Sequence, residues 1–275
     1  MGDFMSDDHV VIARRTSPLL LSMPHGGVAL PDWLVPRLSD AGKAVADTDW
    51  WIDRLYGFAE ALDATVVRTT LSRHVIDVNR DPSGASLYPG QATTGLCPTE
   101  TFDGSPIYLP GQAPDEAEIA ERRERYFIPY HRALATEIER LKARHGYVLL
   151  YDCHSIRSRI PRLFNGELPV FNIGTNGGKS CAREIEEAVV RACARAPGLT
   201  HALNGRFKGG WITRHFGRPG EAVHAVQMEL AQHAYMMEAP PWTFDPVKAA
   251  TIQRILHSVL EGMIGWARST LGRKT

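Results

Sequence analysis

Five short apolar runs, set between longer stretches of helical periodicity, constrain this chain more than any other feature. They are residues 18–23 (PLLLSM), 64–68 (ATVVR), 74–78 (HVIDV), 147–151 (YVLLY) and 222–230 (AVHAVQMEL), each of strand length. Thr48 or Asp47 can cap a helix running to about Leu62, with Leu55, Phe58 and Leu62 on one face. Residues 113–144 read as the longest helix, which Pro129 can kink, and residues 181–194 and 246–271 complete the set. Alternation of this kind predicts an α/β fold: one mixed, largely parallel sheet with helices on both faces.

With 275 residues and 44% hydrophobic content, the chain can bury a large core as a single domain over residues 1–275. Basic and acidic residues balance at 31 each, so no global field draws it to nucleic acid or to an anionic membrane. No apolar run approaches the roughly 20 residues of a membrane span, and the N-terminus MGDFMSDDHVVIARR has no signal pattern, which makes a cytoplasmic location the expectation. Cys97, Cys153, Cys181 and Cys193 show no CxxC spacing, which argues against cysteine-bound zinc and a disulfide framework. Nothing in the sequence sets an oligomeric state. Residues 81–112 are rich in Gly, Pro, Ser and Thr, and a loop of this length in a compact domain is functional or disordered. Tyr88, Phe102, Ile107 and Tyr108 give it apolar anchors, so an ordered flap over a site is expected.

Ligands of open α/β sheets bind beyond the C-terminal ends of the strands, and four groups of ionisable residues fall there. His25 stands in PHGG, where two glycines permit close approach of backbone to a ligand. His154 stands in YDCHS, with Asp152 able to orient its imidazole. Asp47, Asp49 and Asp53 cluster at a helix start, and Glu229 lies inside the apolar run AVQMELAQ. A turn histidine, a core histidine and capping carboxylates would account for the first three groups separately. A carboxylate in a central strand is expensive to bury without a partner or a function. Taken together, two histidines, one carboxylate and a further carboxylate outside the ligand set match a catalytic metal arrangement.

The segments PHGG, DTDWWIDRLY, SRHVIDVNR, YDCHSIRSRIPRLFNGELP, FKGGWITRHFG and HAVQMELAQ together resemble the N-formylglutamate amidohydrolase family across most of residues 15–240. The resemblance implies metal-dependent hydrolysis of N-formyl-L-glutamate to formate and L-glutamate, the final step of a histidine degradation route. It also extends distantly to zinc carboxypeptidases and aspartoacylases, implying a zinc-exopeptidase-like (phosphorylase/hydrolase-like) fold. By that likeness His25 and His154 hold one divalent metal ion, zinc, while Asn79 and Arg80 bind a substrate carboxylate. Glu229 then activates water as general base, and Arg73 stabilises the developing oxyanion. The position three after His25 is Val28 rather than a glutamate, so the third ligand must come from elsewhere: Asp49, with Asp47 close behind. Carboxylate ligation leaves manganese, iron or cobalt open beside zinc.

An acidic N-acyl amino acid with two carboxylates needs two cationic contacts, and Arg157, Arg206 and Arg214 are the candidates for the second. Alternatives are a hydrolase of another N-acyl or N-formyl amino acid, a carboxypeptidase-like peptidase, and a nonenzymatic module that binds metal or carboxylate.

Overall fold

The computed structural model describes residues 4–7, 9–86, 90 and 93–271. In chain order its elements are β1 (Phe4–Asp7), β2 (Val10–Ala13), β3 (Leu19–Met23), α1 (Asp40–Lys43), α2 (Ile52–Leu55), β4 (Thr65–Thr69), α3 (Glu116–Arg122), α4 (Ile128–His145), β5 (Val148–Ile156), β6 (Phe171–Gly174), α5 (Arg183–Ala194), β7 (His201–Leu203), α6 (Trp211–Phe216), β8 (Val223–Ala231) and α7 (Pro246–Thr270). The strands form one sheet in the order β1-β2-β4-β3-β5-β8-β6-β7. Its four central strands, β4, β3, β5 and β8, run parallel, while β2 and β6 flank them antiparallel. The sheet is thus mixed, with a parallel centre.

Successive strand residues point to opposite faces, and both faces here are covered. Leu19, Leu21, Leu149, Tyr151 and Cys153 face a layer built by α2, α5 and α7, through Ile52, Ile185 and Leu256 among others. Leu20, Val148, Leu150 and Ala225 face the other layer, where Leu134 and Ile138 of α4 meet Ile212 and Phe216 of α6. Double coverage explains why β3 and the first half of β5 read as unbroken apolar runs. Burying each leucine of β3 contributes roughly 1.5–3 kcal/mol.

Four expectations change. Residues 74–78 are a turn-rich loop, not a strand; Val75, Ile76 and Val78 are apolar because the loop itself is buried under α4. The helix expected from Thr48 to Leu62 is broken into α2 and a 3-10 turn at Gly57–Glu60, beginning after Trp51 at φ 62°. The single helix expected over 113–144 is α3 and α4 joined by a π-helical turn over Arg123–Phe127, just before Pro129, and α4 continues to His145. Finally, β5 does not end at Tyr151, because its ladder with β8 runs on to the pair Ile156 and Ala231. The strands β1, β2, β6 and β7 have three or four residues each, too short for a periodic signal.

All four cysteines are buried and free. Among the described residues no helix is long and apolar enough to cross a membrane. In residues 81–112, Phe102, Ile107 and Tyr108 are buried anchors as expected, whereas Tyr88 lies outside the described residues.

Candidate metal centre

The site grows from the C-terminal ends of the central parallel strands. At the end of β3, Pro24 cannot donate to the ladder and the chain turns out through His25. The glycines after His25 dock against protein: a Cβ on Gly27 would lie 2.3 Å from the carbonyl carbon of Thr70, just past β4. Close backbone approach is therefore real here, but the surface approached is the next loop and not a ligand. Asp49 lies before α2, and its N–H donates to the His25 carbonyl at 3.0 Å. His154 and Glu229 are cross-strand partners in the β5–β8 ladder, and Asp152 pairs with Gln227 one step back. All four continue the series that faces α4 and α6, so alternation alone brings them to one side of the sheet.

The ligand atoms of His25, Asp49 and His154 lie within 4.8 Å of one another, and all three residues are buried. Asp49 Oδ2 is 3.0 Å from His154 Nδ1 and 3.8 Å from His25 Nδ1. The opposite ring nitrogens each meet a carboxylate: His25 Nε2 is 2.7 Å from Asp77 Oδ1, and His154 Nε2 is 3.0 Å from Asp152 Oδ2. Carboxylate–histidine pairs of this kind fix the tautomer and ring plane of metal-ligating histidines. Burial pulls the His154 pKa down, but Asp152 and Asp49 outweigh it and hold the imidazolium well above the usual range. For His25, burial and the charge of Arg73 win over Asp77 and Asp49, and its pKa is lowered. Two Nδ1 atoms and a carboxylate oxygen converging in a buried site fit a divalent cation, which would take the place of a proton between His154 and Asp49.

Glu229 faces the same pocket, and burial pushes its carboxyl up to about 8 against the pull of His154. Gln227 Nε2 donates to it at 3.4 Å, and Gln227 Oε1 accepts from Gly210 N at 2.6 Å. A carboxyl titrating near neutrality can take a proton and return it.

Asp77 joins the two ends of the pocket. Its Oδ1 accepts from Asn79 N at 2.9 Å as well as meeting His25, and its Oδ2 receives Arg73 at 2.5 Å and Arg80 at 3.4 Å. Burial would raise its pKa, yet Arg73, Arg80 and His25 hold it well below the carboxylate range. Sequence reasoning did not single it out, although a lone carboxylate inside the apolar run HVIDV was a usable signal.

Arg73, Asn79, Arg80 and Arg206 line a pocket of about 720 Å³, counting its open mouth, together with His25, His154 and Glu229. Arg73 also stacks over the Phe102 ring at 4.7 Å. Asn79 is held at both ends of its amide: Oδ1 accepts from Ile212 N at 2.8 Å, while Nδ2 faces His154 Nε2 at 2.9 Å and Asp152 Oδ2 at 3.3 Å. Gly210 makes this possible, since a Cβ there would fall 2.4 Å from Asn79 Nδ2. Arg80 is steadied by Thr94, through its carbonyl at 3.1 Å and its hydroxyl at 3.0 Å, and Arg206 by the Leu163 carbonyl at 2.9 Å.

The remaining candidates lie elsewhere. Asp47 Oδ2 accepts from Phe102 N at 2.8 Å, and Arg157 sits 3.6 Å from Asp47 and 2.8 Å from Asp103, so this group anchors the 99–108 segment beside the pocket. Arg214, on α6, donates to the Gly209 carbonyl at 2.8 Å; neither it nor Arg157 lines the pocket. Asp53 hydrogen-bonds the N–H of Arg54 at 2.8 Å on an exposed turn.

Comparison with known proteins matches this architecture to a described family. The chain is 47% identical over 266 residues to the N-formylglutamate deformylase of Pseudomonas aeruginosa, covering 95% of this chain and 98% of that one. It is likewise 47% identical over 249 residues to the N-formylglutamate deformylase of Pseudomonas putida, covering 90% and 93%. The crystal structure of an N-formylglutamate amidohydrolase from Ralstonia eutropha superposes with a TM-score of 0.77 at 26% identity, over 95% of this chain and 98% of that one. The sequence pattern of the family spans residues 17–236, which include every residue of the pocket, and the chain belongs to the N-formylglutamate amidohydrolase family.

Proposed function

We propose that this protein hydrolyses N-formyl-L-glutamate to formate and L-glutamate in the pocket above His25, Asp49 and His154, as the last step of a histidine degradation route. The observation that carries the reading is the pairing, in one pocket, of a buried metal-ligand cluster with Glu229 at the inner end and of Arg80 and Arg206 toward the rim. The deformylase relatives supply the substrate class.

A divalent ion held by the three ligands, zinc in our reading, supplies Lewis acidity toward the formyl carbonyl and lowers the pKa of water. Glu229 takes the proton of the attacking water and returns it to the leaving nitrogen, a role worth roughly 10²–10⁴-fold. Arg73, fixed by Asp77 and stacked on Phe102, offers charge where the carbonyl oxygen becomes anionic. Arg80 takes one substrate carboxylate and Arg206 the other, each guanidinium presenting a planar fork. Asn79 donates to Asp152, the carboxylate behind His154, and accepts from the start of α6, so its share in substrate binding is to set the wall next to Arg80. Residues 81–112 act as a flap that contributes Thr93, Thr94 and Phe102 to the pocket.

The test is a metal analysis joined to a formate-release assay on N-formyl-L-glutamate, N-acetyl-L-glutamate and an N-formyl amino acid with an uncharged side chain. Formate should appear with the first substrate, disappear after chelation and return when metal is restored. Faster turnover of either other compound would move the activity to a different N-acyl amino acid. A metal-loaded protein inert toward all three would leave only a binding function.

A further inference from the structure

Of the three proposed ligands, His25 directly follows a strand turn and His154 lies within a strand. Asp49 instead sits in an irregular stretch bounded by Val45 at φ 42° and Trp51 at φ 62°. Left-handed backbone at a β-branched and a bulky residue is unfavourable on its own and persists only where surrounding contacts enforce it. The stretch is held by Thr48 on the Val45 carbonyl, by Trp51 Nε1 on the Trp242 carbonyl, and on either side of Asp49 by the turn after β8 and the residue beside His154.

Gln232 Nε2 donates to the Thr48 carbonyl at 2.9 Å, and the Tyr235 hydroxyl lies 2.9 Å from the Trp50 carbonyl. Ser155 Oγ is 2.7 Å from the Tyr235 hydroxyl and 3.3 Å from Gln232 Nε2. The Trp50 carbonyl can only accept, so the Tyr235 hydroxyl is its donor, and Ser155 Oγ lies within reach of both the Tyr235 hydroxyl and the Gln232 amide N–H. All three side chains are buried, at 1% exposure for Gln232, 0% for Tyr235 and 2% for Ser155. Because Asp49 N also donates to the His25 carbonyl, the peptide joining Thr48 and Asp49 is gripped at both its oxygen and its nitrogen. With that plane fixed and the Trp50 carbonyl tied down, the Asp49 carboxylate keeps only its own side-chain torsions.

We propose that Gln232, Tyr235 and Ser155 are positioning residues that hold Asp49 at the metal centre by clamping the backbone on both sides of it. The inference rests on the cluster being a metal site, and it assigns a role to residues that touch neither metal nor substrate. Loss of one clamp bond lets the Asp49 loop relax and lowers metal affinity; outer-sphere changes of this kind typically weaken binding by 10–100-fold.

The experiment measures Zn²⁺ dissociation constants by competition with a chromophoric chelator for the parent, Tyr235→Phe, Gln232→Leu and Ser155→Ala, with Asp49→Ala as reference. Visible absorption of the Co²⁺-loaded proteins is recorded alongside. Tyr235→Phe keeps the ring and its packing and decides the matter alone if the other variants do not fold. The expected result is Zn²⁺ binding weakened by roughly 10–100-fold in Tyr235→Phe, with an altered Co²⁺ spectrum. If Asp49→Ala loses metal while Tyr235→Phe binds Zn²⁺ like the parent with the parental Co²⁺ spectrum, the clamp is only a fold contact and the proposal is overturned, even if melting temperatures fall. A parent that binds no metal sinks the metal-site reading and the clamp with it.

Discussion

The inner and outer ends of the pocket are built on different terms. At the inner end His25, His154 and Glu229, with Asp77 behind His25, are almost completely buried, two of them in neighbouring strands. At the rim Arg80 and Arg206 are half-buried on segments outside the sheet and bond loop carbonyls at Thr94 and Leu163, Arg80 also reaching Asp77 at 3.4 Å. Strand-borne groups cannot shift without disturbing the ladder, whereas loop-borne arginines can follow a change in their loop. The contrast separates reaction chemistry, which needs fixed distances, from substrate recognition, which tolerates adjustment.

The sharpest way to break that division is Glu229→Gln, which keeps shape and hydrogen-bonding capacity but cannot take a proton. Turnover should fall by roughly 10²–10⁴-fold with KM and bound metal near parental values. If Glu229 were instead a structural charge, the same change would lower stability by roughly 3–5 kcal/mol. Parental turnover in a variant with the parental melting curve would remove Glu229 from the chemistry. Arg80→Ala probes the rim. Loss of a charge-assisted contact worth about 1.5–3 kcal/mol should raise KM by roughly 10–100-fold and leave kcat little changed. A fall in kcat equal to the change in kcat/KM would show Arg80 acting in the transition state, and the two ends would no longer be separable. The smallest effect is expected for Arg157→Ala, which removes ion pairs to Asp47 and Asp103 outside the pocket lining. Metal content should hold and KM should move by no more than about fivefold, in line with a contact worth about 1 kcal/mol or less. A KM effect as large as that of Arg80→Ala would place Arg157 on the substrate.

How much of this was legible in the sequence depends on what carried each signal. The parallel centre of the sheet was readable because β3, β5 and β8 are buried on both faces, which makes β3 and the first half of β5 almost wholly apolar and β8 mostly so. The same rule misled at residues 74–78, where burial of a loop imitates burial of a strand. His25 and His154 stood out as polar residues at the ends of apolar runs, and Glu229 as a carboxylate inside one. The grouping of Asp49 rather than Asp47 with them was a choice between neighbours that only backbone geometry resolves: Asp47 turns to the Phe102 N–H, and Asp49 turns to the histidines. Asp77 stood as a lone carboxylate in the apolar run HVIDV, whereas no local pattern marks Gln232 and Tyr235, whose bonds reach the backbone beside Asp49. The 3-10 and π turns were hidden because helical periodicity over a few residues does not distinguish one winding from another.

The pairing of His154 with Glu229 across β5 and β8 is a matter of register, and register changes only in whole residues. A slip of β8 by one position would present Met228 or Leu230 in place of Glu229 and turn the carboxylate toward the opposite helical layer. The spacing between the proposed ligand and the proposed base therefore behaves as a counted quantity rather than a measured one. Mutation can alter the identity of these two side chains, but small shifts of the surrounding helices cannot gradually retune their separation. On the proposed roles, adjustment to another substrate falls to the loops that carry Arg80 and Arg206 rather than to the β5–β8 pair.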